Sequence, residues 1–421
     1  MMIRTLILTL CSRIIAVSGS LLLSLYISNF FGVEKLGAFS ISLLVLNGCG
    51  ILSRYGMDIY YIKYGVNIKS KEMNFLLYSL LIKKTVKNSM AISLLIFIIG
   101  CVVNELEVFS RFEFRDLFIF VSILPFFSIS YMCSSYYKAA GLPSVSCFFE
   151  VGMISFLTVF LSVVFMYLGA HVSFDMVIFL FLCSSATFSL LGTILITKDN
   201  RNNKSKSVSK DENQTNNFFW ISIIGYFQLS IFTYICTYFL SLSDIGVFKA
   251  IERVAMTISF VLVVLNSILM PKFSYAYRCG ESEELVRLMR KGIALSLLFT
   301  LPIVIIISAF PEFVLGMFGD EFKPYVNILW IMCLAQWINV LFGSVGTVLN
   351  MTNFERDVKR VSLTISTLTI LILPYSVYHY GLEGAAYSYL SFIAIQNIFL
   401  TYFVSKRLDL NILPMVGKRR E

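Results

Sequence analysis

The sequence predicts an all-α polytopic membrane protein with twelve transmembrane helices in two pseudo-symmetric six-helix lobes around a central cavity. Three observations predict it. The 421-residue chain is 57% hydrophobic and only 14% charged, whereas soluble domains carry about 25% charged residues. Twelve stretches lack Asp, Glu, Lys and Arg over at least the length of the shortest membrane span, about 17 residues. One long polar stretch, 198–217, leaves six of these runs on either side. A water-soluble enzyme, a disordered chain and a disulfide scaffold do not fit this composition.

In chain order the runs are 14–33, 36–53, 88–104, 117–137, 151–174, 176–197, 213–243, 254–271, 292–311, 324–354, 361–382 and 384–405. We number them spans 1 to 12. They are apolar on all sides, which excludes the short alternating segments of an outer-membrane barrel. Residues 1–23 have the outline of a signal peptide, but Ser12 and Arg13 interrupt the apolar stretch and another span follows, so the segment reads as span 1. Residues 73–82 and 281–291 are too short to cross; they read as extensions of spans 3 and 9 or as short interfacial helices.

Charge sets the expected orientation. Twelve spans put both termini on one side, and that side holds 26 of the 34 Lys and Arg residues. The excess of Lys and Arg marks the cytoplasmic side. Both termini are therefore expected on the cytoplasmic side. The +9 charge reflects this topology and contact with anionic lipid headgroups. No basic soluble face exists for a nucleic acid. Asn213-Gln214-Thr215 matches a glycosylation sequon but falls in the cytoplasmic linker. The nine cysteines are scattered singly and the two histidines lie far apart, so no metal site and no cofactor are expected.

The linker divides the chain into an N-lobe of residues 1–197, a cytoplasmic linker of 198–217 and a C-lobe with tail of 218–421. Weak similarity recurs across it in order: Leu36-Gly37-Ala38-Phe39 with Ile245-Gly246-Val247-Phe248, and Ala91-Ile92-Ser93-Leu94-Leu95 with Ala294-Leu295-Ser296-Leu297-Leu298. Six spans per repeat make the halves parallel, related by an axis along the membrane normal.

Ionisable groups within spans mark pathways because they are costly there. At about 1.5 Å per residue, Arg253 lies roughly 14 Å deep on span 8. Lys249 is its i,i+4 neighbour, and two like charges so placed repel unless Glu252 or an anionic ligand compensates. Arg13 and Arg54 lie near the cytoplasmic ends of spans 1 and 2, where snorkelling to the interface is the bland alternative. Arg54 and Asp58 are spaced to pair. Glu150 starts span 5, where a carboxylate favours a helix N-terminus. Glu252, Asp58 and Glu150 are thus candidate counter-ions or coupling groups. Tyr226, Gln228, Gln336, Asn339, Gln396 and Asn397 supply polar uncharged groups for sugar contacts or for interhelical hydrogen bonds. No catalytic motif is present, which disfavours a glycan polymerase or glycosyltransferase.

Several stretches resemble a known family. They are Phe31-Gly32-Val33-Glu34-Lys35-Leu36-Gly37-Ala38-Phe39-Ser40, residues 246–253, Met270-Pro271-Lys272-Phe273-Ser274 and Phe318-Gly319-Asp320-Glu321-Phe322. Val348-Leu349-Asn350-Met351-Thr352-Asn353 and Tyr380-Gly381-Leu382-Glu383-Gly384-Ala385-Ala386 complete the set. In that order they resemble polysaccharide flippases, the O-antigen transporter branch of the multidrug/oligosaccharidyl-lipid/polysaccharide exporter superfamily. The resemblance implies a V-shaped cavity, alternating access and transfer of an undecaprenyl-pyrophosphate-linked oligosaccharide to the periplasmic leaflet. It also implies the bacterial cytoplasmic (inner) membrane as the location, and membrane lipids, other surface-glycan assembly proteins and a coupling proton or sodium ion as partners. In the related lipid II flippases, arginines on helices 1, 2 and 8 line the cavity; Arg13, Arg54 and Arg253 occupy those helices here. The alternative within the superfamily is a cation-coupled multidrug exporter, which needs intramembrane carboxylates; span 1 has none.

Overall fold

The computed structural model describes residues 2–65, 71–105, 114–199 and 212–408. Each of the twelve apolar runs falls largely on helix, and no strand occurs among the described residues. The elements are α1 (Met2–Arg54), α2 (Met57–Gly65), α3 (Lys71–Glu105), α4 (Phe114–Ala139), α5 (Pro143–Ser146), α6 (Val151–Tyr167) and α7 (Phe174–Asp199). They continue with α8 (Glu212–Phe239), α9 (Leu242–Arg278), α10 (Ser282–Ala309), α11 (Pro311–Gly316), α12 (Val326–Phe342), α13 (Val345–Met351) and α14 (Glu355–Leu408).

Two helices each hold two spans. Gly32 breaks α1 with φ 85° and ψ 171°, and Gly381 breaks α14 with φ 56° and ψ −134°. Only glycine visits such backbone conformations without strain. The chain bends by 53° just before span 5, where Pro143–Phe149 meets Val151–Tyr167. The two short segments outside the spans are extensions rather than separate interfacial helices: α3 runs unbroken from Lys71 into span 3, and α10 from Ser282 into span 9. The final part of the expected linker, 212–217, is already the first turns of α8, so the sequon at Asn213 lies on helix, with Thr215 buried.

The chain forms two compact units, Met1–Phe227 and Gln228–Glu421. In the first, α1 and α6 pack backbone against backbone. A Cβ on Gly152 would overlap the Ala16 carbonyl, and one on Gly19 would overlap the Gly152 carbonyl. Lipid tails are as apolar as the helices, so association depends on close packing of this kind, for which small residues are required. The first half of α8 belongs to the same unit. Tyr55 stacks on Phe219 at 4.2 Å, and Tyr226 donates to the Leu44 carbonyl at 2.6 Å. In the second unit, Gly384 sits against the Ser376 carbonyl, and Ser376 Oγ donates back to the Gly384 carbonyl at 3.0 Å. This contact closes the hairpin of spans 11 and 12.

The α1–α6 contact makes a prediction. Gly152→Leu should destabilise the first unit by about 3 kcal/mol or more through overpacking, and Gly225→Leu, where a Cβ would meet open space, should not. Thermal unfolding of the two purified variants checks the difference.

Candidate functional site

The ionisable residues within the spans gather into clusters, one in each unit, described here separately.

The first is built around the end of α1. Tyr55 and Gly56 adopt positive φ, 45° and 68°, which stops α1 at Arg54 and restarts the chain as α2. The turn brings Asp58 back to Arg54, with Nε donating to Oδ2 at 3.1 Å. The guanidinium lies over the Tyr131 ring of α4, 4.4 Å from its centroid. Gly50, one turn earlier, leaves room for it: a Cβ there would sit 3.0 Å from Nη1. Arg54 is therefore buried, at 5% exposure, and does not snorkel. Its Nη1 is buried with no hydrogen-bond partner among the described residues. Asp58 Oδ1 accepts the Ile59 N–H at 3.0 Å.

Glu150 adjoins this group. It occupies the N-cap of α6 in extended conformation but makes no side-chain cap bond. Its carboxylate instead receives Lys138 Nζ at 2.7 Å and Ser134 Oγ at 3.2 Å. Tyr131 is within electrostatic reach of Arg54, Glu150 and Asp58 together. Cys147 is within reach of Glu150, Arg13 and Lys138. Arg13 is half-buried, and its Nε also lacks a partner among the described residues. Three cations thus face two carboxylates, and two of the cations have buried N–H groups to spare.

The second cluster lies on α9. Ser241 and Asp244 form a capping box, with Asp244 N donating to Ser241 Oγ at 3.1 Å and Ser241 N to Asp244 Oδ2 at 3.2 Å. Further along, Lys249 Nζ meets Glu252 Oε2 at 2.6 Å, and their side chains are only 17% and 9% exposed. Glu252 therefore supplies the compensation that the Lys249–Arg253 spacing demands. It also acts on Arg253, which is half-buried. Two cations share one carboxylate on this stretch of helix.

Five of the six polar uncharged residues are engaged by their neighbours. Gln336 Nε2 donates to the Tyr389 hydroxyl at 2.7 Å, and Asn397 Nδ2 to Asn339 Oδ1 at 3.2 Å. Gln396 Nε2 reaches Ser362 Oγ at 3.4 Å. Tyr226 is tied to α1, and Gln228 is half-buried on α8. Gln228 aside, these groups join helices in this structure.

A third pair escaped sequence reasoning. Asp357, 3% exposed, lies in the first turn of α14 and receives a two-pronged contact from Arg407 in its last turn. Nε lies 2.7 Å from Oδ2 and Nη2 3.2 Å from Oδ1. Tyr131, Ser134 and Lys138 were also not singled out. The i,i+4 pairing of Arg54 with Asp58 and the i,i+3 pairing of Lys249 with Glu252 are local signals; Tyr131, Ser134 and Lys138 come from another helix, and Asp357 and Arg407 from opposite ends of α14. Among the described residues no group of three His, Cys, Asp or Glu is placed to hold a metal ion.

No family model and no curated protein matches the sequence. Solved structures do match the fold. The lipid II flippase MurJ, in an inward closed conformation, aligns with TM-score 0.71 and 14% identity over 96% of this chain and 87% of that one. The multidrug transporter DinF-BH, solved as a complex, aligns with TM-score 0.63 and 15% identity over 96% and 97%. The Vibrio cholerae transporter VcmN, solved as a mutant, gives 0.65 and 15% over 97% and 98%. The chain has the fold these transporters share. At this identity the likeness speaks to architecture, and it extends over nearly the whole chain.

The Asp357–Arg407 pair carries a prediction. Arg407→Ala leaves a buried carboxylate without its main partner and should lower the unfolding temperature. The double variant Asp357→Asn with Arg407→Ala should recover part of the loss, as read from thermal unfolding.

Proposed function

We propose that the protein is a flippase that moves an undecaprenyl-pyrophosphate-linked oligosaccharide, an O-antigen or related surface-glycan repeat, from the cytoplasmic to the periplasmic leaflet by alternating access. The observation that carries this reading is the surplus of buried cationic donors. Arg54 Nη1 and Arg13 Nε are buried with no acceptor among the described residues. A guanidinium presents a planar fork suited to phosphate. An arginine held in place by Asp58 and Tyr131, with one nitrogen left over, is preorganised for an anionic head group. The fold supports transport as the general activity. One neighbour of this fold is named a lipid II flippase. In the proposed topology both termini and the 198–217 segment face the cytoplasm of the bacterial inner membrane.

A multidrug exporter is the second reading, favoured by the likeness to DinF-BH. In that case a carboxylate must be free to exchange a cation. In this structure Asp58, Glu150 and Glu252 each meet a basic side chain at 3.1 Å or less, which favours the anionic substrate.

Arg54→Ala and Arg253→Ala should lower surface glycan by about ten- to a hundred-fold, the loss of one charge-assisted contact, with lipid-linked oligosaccharide accumulating in the inner leaflet. Arg54→Lys keeps the charge without the fork and should fall between. Membrane abundance separates these losses from misfolding. Normal glycan in all three variants together with lost ethidium efflux would establish the second reading. Orientation is checked independently at Cys279, exposed in the α9–α10 turn. A membrane-impermeant maleimide should label it in inverted vesicles and not in intact cells, with Cys279→Ser as the control.

A further inference from the structure

The segment between spans 9 and 10 carries the Phe318-Gly319-Asp320-Glu321-Phe322 stretch, which takes no part in the charge clusters. It folds as α11, a turn at Gly319 with φ 132°, and a short 3₁₀ helix, Asp320–Tyr325. One apolar side is turned inward: Leu315, Phe318 and Phe322 are buried, and the two phenyl rings lie 5.6 Å apart. The opposite side is apolar too. Phe310, Phe313 and Met317, spaced i, i+3 and i+7, are 62%, 71% and 48% exposed.

This outer side continues the exposed face of span 9. Leu298, Leu301 and Ile305 share one face of α10 and are exposed. Arg287 and Lys291 extend the same face toward the start of the helix and are exposed as well. At about 1.5 Å per residue, Lys291 and Phe310 stand about 28 Å apart, close to the hydrocarbon thickness of about 30 Å. Lys291 thus marks one headgroup layer and Phe310 the other. α11 begins at Pro311, so it lies in that second layer with Phe313 and Met317 toward the acyl chains, as interfacial helices do.

Beside these apolar side chains is a cleft of about 400 Å³ lined by Glu312, Phe313, Gly316, Met317 and Lys323, a size within the range of small-ligand sites, about 300–1,000 Å³. Gly316 lets the lysine arm lie across the helix, since a Cβ there would sit 3.1 Å from Lys323 Cε. Asp320 Oδ1 holds Lys323 Nζ at 2.5 Å and so takes one of the three N–H donors of an ammonium group. Glu312 is exposed and within electrostatic reach of Lys323. A cationic donor and a carboxylate acceptor therefore share one cleft at headgroup depth.

We propose that this cleft binds the headgroup of an aminophospholipid, a phosphoethanolamine ester, in the leaflet opposite Lys291. Lys323 donates to the lipid phosphate, the lipid ammonium donates to Glu312, and the acyl chains run along the exposed face of α10. Charge selects this headgroup. Phosphatidylglycerol brings a net negative charge to a rim where Glu312, Asp320 and Glu321, all exposed, outnumber Lys323. A choline headgroup has the right balance of charge but no N–H to donate. The assignment uses only the passage of α10 through the bilayer and does not depend on what the protein transports.

The test uses purified full-length protein in detergent, titrated with phosphatidylethanolamine, phosphatidylcholine or phosphatidylglycerol of identical acyl chains, and followed by thermal unfolding. The expected result is a saturable rise in Tm with phosphatidylethanolamine, at an apparent affinity about ten-fold or more above that of the other two. Glu312→Gln should erase the preference for ethanolamine over choline. Lys323→Ala should weaken the response to both by about ten-fold. Glu283→Gln, in the first turn of α10 at the opposite end of the span, should change neither. Should Lys323→Ala fail to fold, Glu312→Gln, an exposed isosteric change, carries the test. An equal response of the parent to all three lipids, a stronger response to phosphatidylglycerol, or an undiminished ethanolamine preference in Glu312→Gln would overturn the assignment. Glycan export by the arginine variants reads the flippase proposal separately.

Discussion

An ionised group inside an apolar span must find its compensation nearby, because the surrounding hydrocarbon offers none. This constraint shapes the intramembrane chemistry of the chain. Arg54 is met by the next turn of chain and by an aromatic face from α4. Glu150 is met by a lysine and a serine on that same helix, and Lys249 by a carboxylate three residues away. Each solution is local to its unit. In the first cluster the compensation is incomplete among the described residues: Arg54 Nη1 and Arg13 Nε are buried without an acceptor. A protein that needed these arginines only for stability would do as well with apolar residues.

The spans were legible from sequence because hydrocarbon thickness sets a minimum length for a charge-free run, and helix is the way for a single segment to satisfy its own backbone in lipid. The fusion of spans 1 and 2, and of 11 and 12, into long helices was not anticipated. Gly32 and Gly381 turn the chain without a loop, and a lone glycine between apolar runs gives no hint of its φ. The bend at Glu150 was equally hidden.

The candidate site was legible in its cations and not in its surroundings. Arg54 and Asp58 are four residues apart, so their pairing could be read directly. Tyr131 sits in an otherwise apolar run, where its phenol ring looks like any other core aromatic. Asp357 and Arg407 are separated by a whole hairpin of two spans, and nothing short of the fold connects them. Gln336, Asn339 and Asn397 show the converse: their polarity stood out in the sequence, yet in the folded chain they join neighbouring helices. A polar residue in a span says that a partner exists but not whether the partner is protein or ligand.

The contact between Gly19 and Gly152 has a consequence for tracing ancestry. Apolar helices at about 15% identity slide past one another in alignment, since leucine for isoleucine costs little at any offset. A crossing point where two main chains touch permits no such slippage, for a larger side chain at either position would force the helices apart. The pair therefore offers a fiducial mark: two columns, one in each helix, that ought to retain minimal side chains wherever this crossing has been inherited, even after every other resemblance has decayed.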